Sequence, residues 1–179
     1  GLKNNYETEL EELLLMIPEG GVILFVPREI KVPVQWKIKL KSDILQMVYE
    51  KGKMDLDRKG IVPLQDEYIP AMIEITRMTN PGPFFNRTID FGKYEGIFDG
   101  SQLVAMTGRR LQPDPYTEVS AVCTHPDHVG KGYAAKLVRS QVNSIIDISR
   151  TPFLHLYPDN MPALKLYEKL AMRTEDFGD

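Results

Sequence analysis

Apolar positions along the chain fall into runs of two kinds, one with helical spacing and one alternating or continuous. Leu10, Leu13, Leu14 and Ile17 share one helical face, with Glu7, Glu9, Glu11 and Glu12 opposite it or near its start, and Pro18-Glu19-Gly20-Gly21 closes that helix. Val22-Ile23-Leu24-Phe25-Val26 is continuous, bounded by glycine and proline, and predicts a buried strand. Val32 to Leu40 alternates around Trp36, Ile38 and Leu40 with lysines on the other side, which predicts a one-sided strand with Trp36 in the core. Residues 42–50 fit helix and strand equally. The charged, glycine-containing stretch from Lys51 to Lys59 reads as a link, so residues 1–58 are expected to form an accessory, partial lobe and 59–179 the main domain.

Within that domain Ile69, Met72, Ile73 and Thr76 lie on one helical face, and Pro70 is tolerated in the first turn. Asn80-Pro81-Gly82-Pro83-Phe84-Phe85 is a stiff loop carrying two aromatics. Tyr94–Phe98, then Asp99-Gly100, then Leu103–Leu111 predicts a hairpin, and Asp114-Pro115 marks the next turn. From Glu118 the chain alternates polar and small apolar residues, with β-branched Val119 and Val122, until His125-Pro126-Asp127 ends the strand. Ala134, Leu137, Val138, Val142 and Ile145 then follow a helical period. Pro152–Tyr157 is another strand, and Asp159 or Asn160 caps a last helix through Leu170. Met172 to Asp179 is too short and polar to finish a sheet. Either the C-terminal end is trimmed or the edge is completed by another element or a second subunit, and a homodimer is one of the expected arrangements.

A chain of 179 residues with 42% hydrophobic and 26% charged residues has the make-up of a soluble globular protein. A net charge of −3 and a pI near 5.7 argue against nucleic acid as the main partner. Arg109 and Arg110 are the only adjacent arginines and form no basic stripe. One cysteine, Cys123, excludes an intrachain disulfide and suits a reducing compartment. With no signal peptide and no apolar run of membrane-spanning length, the expected location is the cytoplasm, away from membranes. The first residue is Gly1, not methionine, which points to a processed or cut terminus.

The chemistry concentrates where the strand after Glu118 turns into the helix after Gly132. Orphan N–H groups and the helix dipole make such a junction an anion site. Gly130 and Gly132 let a phosphate approach without a Cβ in the way, and Lys131 adds a charged donor. A P-loop does not fit, because His125 stands at its first glycine and Gly132 at its Ser or Thr. A Rossmann turn fits no better, because this junction comes late in the chain. Cys123 with His125 makes no metal set, His128 and His155 lack fitting ligands, and no Gly-x-Ser-x-Gly elbow exists.

Read as Val129, Gly130, Lys131, Gly132, Tyr133 and Ala134, this junction resembles the pyrophosphate loop of the GNAT superfamily of acyl-coenzyme A-dependent N-acyltransferases. Gly132 and Ala134 match that pattern, and Val129 replaces its usual Arg or Gln. The Asn-x-x-Ala-x-x-Leu-Tyr run of that family is present in full from Asn160 to Tyr167. With Thr117 to Pro126, the resemblance covers roughly residues 60–172 and is nearest to the branch grouped with glycine N-acyltransferases. It implies an α/β fold with a mixed, mostly antiparallel twisted sheet flanked by helices. Two parallel strands, the one from Glu118 and Phe153–Tyr157, would splay to admit pantetheine.

The resemblance also implies N-acyl transfer, most simply from acetyl-CoA, to a small amine or amino-acid-like acceptor by direct attack in a ternary complex. Tyr167 would protonate the departing thiolate, although its helical face also suits a core tyrosine. Glu118 stands where the family often has its general base, and a salt bridge is its other reading. Gly130, Lys131, Gly132, Tyr133 and Ala134 would donate backbone N–H groups to the pyrophosphate, with Val129 supplying no side-chain contact. Val122, Cys123 and Thr124 would pair with the pantetheine amides through the main chain, as in strand addition. Cys123 is expected to pack as a small hydrophobe rather than to act as a nucleophile. Asn160 and Ala163 would border the cofactor arm, with helix capping as Asn160's alternative. Phe84, Phe85 and Arg87 would line the acceptor pocket, with ordinary loop packing as their other reading. A weak or inactive CoA-binding module is the rival reading, prompted by Val129 and by Ala171-Met172 where Gly-Phe is usual.

Overall fold

The computed structural model describes residues 6–17, 21–26 and 30–175. The chain divides between Ser42 and Asp43, ahead of the charged stretch, and the larger unit is Asp43–Glu175.

In the smaller unit helix α1 (Tyr6–Met16) buries Leu10 and leaves Leu15 exposed. The two strands expected here are absent among the described residues. Residues 22–26 form no strand, and Ile23 is 60% exposed. A continuous apolar run names no pairing partner, and a strand requires one. The 32–40 alternation is interrupted by a turn at Val34-Gln35, where Trp36 N–H donates to Pro33 O at 3.0 Å. Pro33 has no ladder donor to offer, which favours that turn. Trp36 is half-buried, its indole N–H on Leu10 O at 2.9 Å.

The larger unit runs β1 (Leu45–Val48), β2 (Val62–Leu64), α2 (Ile69–Thr79), β3 (Tyr94–Asp99), β4 (Gln102–Arg109), β5 (Tyr116–Thr124), α3 (Tyr133–Ile146), β6 (Thr151–Leu156), α4 (Met161–Lys169) and β7 (Arg173–Thr174). Its sheet has the order β2-β3-β4-β5-β6-β1-β7, antiparallel except for β5 with β6. The ambiguous 42–50 stretch thus supplies a strand. β1 pairs along its whole length with β6, Leu45 opposite Leu156 through Val48 opposite Phe153. β7 adds only a two-residue edge beyond it. This strand from the chain's first third continues the sheet that the last residues were too short to finish.

Residues 51–59 are fastened to α3. Asn143 clasps Met54 with two hydrogen bonds, 2.7 Å to its N–H and 2.8 Å to its carbonyl. Arg58 reaches Ser140 Oγ at 2.5 Å and Glu95 at 2.6 Å, and Lys136 donates to Lys59 O at 2.6 Å. Three apolar clusters fill the fold, the smallest around Ile97, Val104, Ala105 and Leu137. Val138, Val142 and Ile145 of α3 pack with Val119 and Leu154, whereas Met72 and Ile75 of α2 pack with Tyr94, Met106 and Cys123. Val119 and Cys123 are four residues apart and would share a face in regular β geometry. A bulge at Ala121, whose φ is +51°, changes the phase, so Cys123 joins the α2 cluster.

Arg150, just before β6, holds the start of the β5–β6 pair. Its Nη2 donates to the carbonyls of Gln112, Pro113 and Tyr116 at 3.0, 3.0 and 2.7 Å, and Nε to Thr117 Oγ1 at 2.8 Å. At about 1 kcal/mol net per bond, Arg150→Ala is expected to cost about 2–4 kcal/mol. Thermal unfolding should show a Tm lower by roughly 5–10 °C. A lysine cannot reproduce the fork and should recover little of this.

Candidate functional site

β5 ends at Thr124, and a short 3-10 turn over Pro126–His128 carries the chain into the loop before α3. His125 accepts Asp127 N–H on Nδ1 and so caps that turn. Gly130 and Gly132 have φ of +84° and +80°, the left-handed region that favours glycine, and Gly132 is the N-cap of α3. Among the described residues, the backbone N–H groups from Gly130 through Ala135 donate to no protein acceptor. The first bond of this turn is Lys136 N–H to Gly132 O at 3.0 Å. These are the orphan donors of a helix start, and the α3 dipole adds positive potential there. Lys131 is exposed, and Val129, 69% exposed, offers no polar atom of its side chain. Tyr133 stacks on His128, whose Nε2 lies 3.1 Å from Asp99 Oδ2.

The β5–β6 ladder comprises Tyr116 with Thr151, Thr117 with Pro152 and Glu118 with Phe153, and then stops. Past that point β5 and β6 run on without pairing to each other. On the β4 side, His125 N–H bonds Val104 O at 2.8 Å and Cys123 is paired with Met106. By the alternation of antiparallel strands, the main-chain groups of Val122 and Thr124 turn away from β4, toward the unpaired side. Among the described residues Thr124 Oγ1 is buried with no hydrogen-bond partner, an acceptor-donor left over at the same edge. Cys123 is buried, and burial pushes its thiol up to about 12, so it stays a neutral thiol.

Glu118, 1% exposed, sits where the ladder ends. Arg110 grips it with Nε at 2.9 Å and Nη2 at 2.6 Å, Leu111 N–H reaches Oε2 at 3.2 Å, and His155 Nδ1 lies 2.8 Å from Oε1. Burial alone would raise this carboxyl. Hydrogen bonds from Arg110 and His155, with the charge of both, outweigh it and hold the group below the usual carboxylate range. Both oxygens are saturated with donors, the geometry of a buried salt-bridge partner and a weak proton acceptor. Arg110, His155 and Gln46, whose Oε1 is 3.1 Å from His155 Nε2, were not singled out by the sequence as site residues. One signal was available: Arg110 and Glu118 are equally distant from the Asp114 turn, so they fall opposite each other with opposite charge.

Tyr167 is 6% exposed within the α3 cluster. Burial pushes its hydroxyl up, with nearby Cys123 adding to the shift, so it remains protonated. Among the described residues that hydroxyl has no hydrogen bond, which is unusual for a buried tyrosine. Asn160 is the N-cap of α4, its Oδ1 accepting Ala163 N–H at 3.2 Å, so capping occupies its oxygen and leaves the amide NH2. A second hollow beside the bulge is lined by Phe84, Thr88, Tyr94, Arg110, Ser120 and Ala121. Phe84 packs edge-on to Tyr94. Phe85 is 70% exposed and lies outside that lining, and Arg87 is paired with Asp90. The sequence's acceptor trio is therefore not brought together. Gly108 leaves room for Tyr94, since a Cβ there would fall 2.3 Å from the ring. Among the described residues no cluster of His, Cys, Asp and Glu can hold a metal, and no helix is long and apolar enough to cross a membrane.

Residues 94–176 match the model of the family described as FR47-like protein. Comparison with curated proteins finds no match. Among solved structures, the chain is similar to a putative acetyltransferase of the GNAT family from Novosphingobium aromaticivorans, with 34% identity and a TM-score of 0.70 over 74% of this chain and 59% of that one. It spans less than two thirds of that protein's length. The ribosomal-protein-S18-alanine N-acetyltransferase of Escherichia coli aligns with 16% identity and a TM-score of 0.57, over 65% of this chain and 78% of that one. A Mycobacterium tuberculosis protein solved in complex with CoA aligns with 10% identity and a TM-score of 0.55, over 65% and 72%. A seven-stranded mixed sheet, one parallel pair that stops pairing partway and a glycine loop at the mouth of α3 together give this chain the GNAT acetyltransferase fold.

Proposed function

We propose that this protein is an N-acyltransferase, most simply an N-acetyltransferase, that moves an acyl group from acyl-CoA to a small amine or amino-acid-like acceptor in a ternary complex. The observation that carries the reading is the set of unbonded amides from Gly130 through Ala135 beside the point where β5 and β6 stop pairing. Those amides suit a diphosphate. The outward main chain of Val122 and Thr124 suits the amides of pantetheine, in the manner of an added strand. Asn160's free NH2 and the small Ala163 border the same arm.

In the reaction the amine nitrogen bonds to the thioester carbonyl carbon and the carbon–sulfur bond breaks. Tyr167 gives its proton to the departing sulfur. Glu118 keeps its charge and anchors Arg110 and His155, and the amine's proton leaves to water. The hollow lined by Phe84, Tyr94, Arg110 and Ser120 receives the acceptor. The branch resembling glycine N-acyltransferases fits an amino-acid-like acceptor of this kind. Val129 favours a second reading, a CoA-binding module with little turnover, because the loop lacks the usual side-chain contact. Release of free thiol from acetyl-CoA across a panel of amines and amino acids decides between them. Acceptor-dependent release is expected; thermal stabilisation by acetyl-CoA with no release from any acceptor would favour the binding module.

A further inference from the structure

A row of side chains crosses the sheet at the level where the β5–β6 ladder ends. Glu175, next to β7, accepts Gln46 Nε2 at 3.0 Å. Gln46 lies on β1 directly opposite His155 on β6. Its amide nitrogen is held by Glu175, so its oxygen faces His155 Nε2 at 3.1 Å. His155 Nδ1 faces Glu118 Oε1 at 2.8 Å, and since an ionised carboxylate only accepts, this nitrogen is the donor of the pair. Glu118 in turn holds Arg110 through two bonds.

Glu118 is the last residue of β5 paired with β6, and its partner is Phe153. His155 lies two residues farther along β6, past the last backbone pair. The Glu118–His155 bond therefore crosses the strands diagonally at the place where main-chain bonds no longer fix their distance. Phe153 packs edge-on against the His155 ring at 5.4 Å between centroids, and limits its rotation from the paired side. Both the Glu118 and His155 side chains are nearly enclosed, 1% and 9% exposed, so water competes little for the bond.

We propose that His155 is a positioning residue: its bond to Glu118 sets the separation of β5 and β6 at the throat of the cleft, and Gln46 on β1 fixes the ring that makes it. The idea rests on the acyl-transfer reading for its effect on turnover, but not for its effect on strand spacing. It also gives β1 a part in the site, although β1 lies outside the 94–176 family match. The loop amides at α3 are not part of the row, so the effect belongs to alignment of the thioester rather than to capture of CoA.

The test uses the whole chain with His155→Leu, His155→Asn and Gln46→Leu. Asparagine retains an amide nitrogen near the place of Nδ1, and leucine retains none. Amide hydrogen exchange of residues 119–124 is measured beside thiol-release kinetics. His155→Leu is expected to speed exchange there by about tenfold or more. It should lower kcat by about tenfold or more, with the acetyl-CoA KM changed less than about twofold, the mark of misalignment. His155→Asn should recover most of both effects. If His155→Leu does not fold, Gln46→Leu serves, with a smaller rise in the same amides expected. Exchange and kcat both at wild-type values in a folded His155→Leu, or in its absence in Gln46→Leu, would overturn the proposal. A wild-type protein that releases no thiol while the variants still speed exchange would overturn the transferase reading and leave the brace standing.

Discussion

Tyr167→Phe is expected to lower turnover by about 10²-fold, the lower range for loss of a positioned proton donor, with acetyl-CoA affinity nearly unchanged. The tyrosine is packed among Val138, Val142 and Leu154, and phenylalanine keeps that packing. Among the described residues its hydroxyl has no hydrogen-bond partner, so removing it orphans none of them and stability should change by less than about 1 kcal/mol. The effect is thereby confined to chemistry. Burial and the neighbouring Cys123 keep the hydroxyl protonated, the state a donor needs when the thiolate departs. Steady-state thiol release and calorimetry with acetyl-CoA check both halves. Unchanged turnover would remove Tyr167 from the mechanism.

Gly132→Asp is the second large effect, and it falls on binding. Gly132 is the N-cap of α3, a position where aspartate accepts from the amides of the first turn. The new carboxylate would occupy the donors that the diphosphate needs and place a like charge beside it. Two such charges about 4 Å apart repel by about 4 kcal/mol in a partly solvated site. Acetyl-CoA affinity should fall by about 10²-fold or more. The left-handed φ of +80° strains any side chain by about 1–2 kcal/mol, and the new cap offsets part of that, so the fold should survive. Calorimetry on a variant with a normal unfolding transition gives the answer; affinity within about threefold of wild type would contradict the site.

Much of the site was legible because it is local. The strand over Glu118–Thr124, the stop at His125-Pro126, the glycines before a helical period and the cap at Asn160 all depend on neighbours in sequence, and the structure places each where its spacing predicts. The hairpin around Gly100 is local in the same sense. What escaped depends on register between distant strands. Gln46 meets His155 only because β1 pairs with β6, and nothing in residues 42–50 names that partner. The phase change at Ala121 is equally invisible, since alanine carries no sign of a bulge, yet it decides which way Cys123 faces. In the smaller unit the apolar runs at 22–26 and 32–40 have the composition of strands, but neither forms one among the described residues, and Pro33 could offer a ladder no donor.

Backbone amide spectra of the ¹⁵N-labelled protein, recorded as CoA is added, test the central claim at the atoms it names. The N–H signals of Gly130, Lys131, Gly132, Tyr133 and Ala134 are expected to move together and furthest, as free donors acquire a phosphate acceptor, with Val122 and Thr124 following. Saturable binding that leaves those five signals in place, or no change anywhere in the spectrum at millimolar CoA, would contradict it.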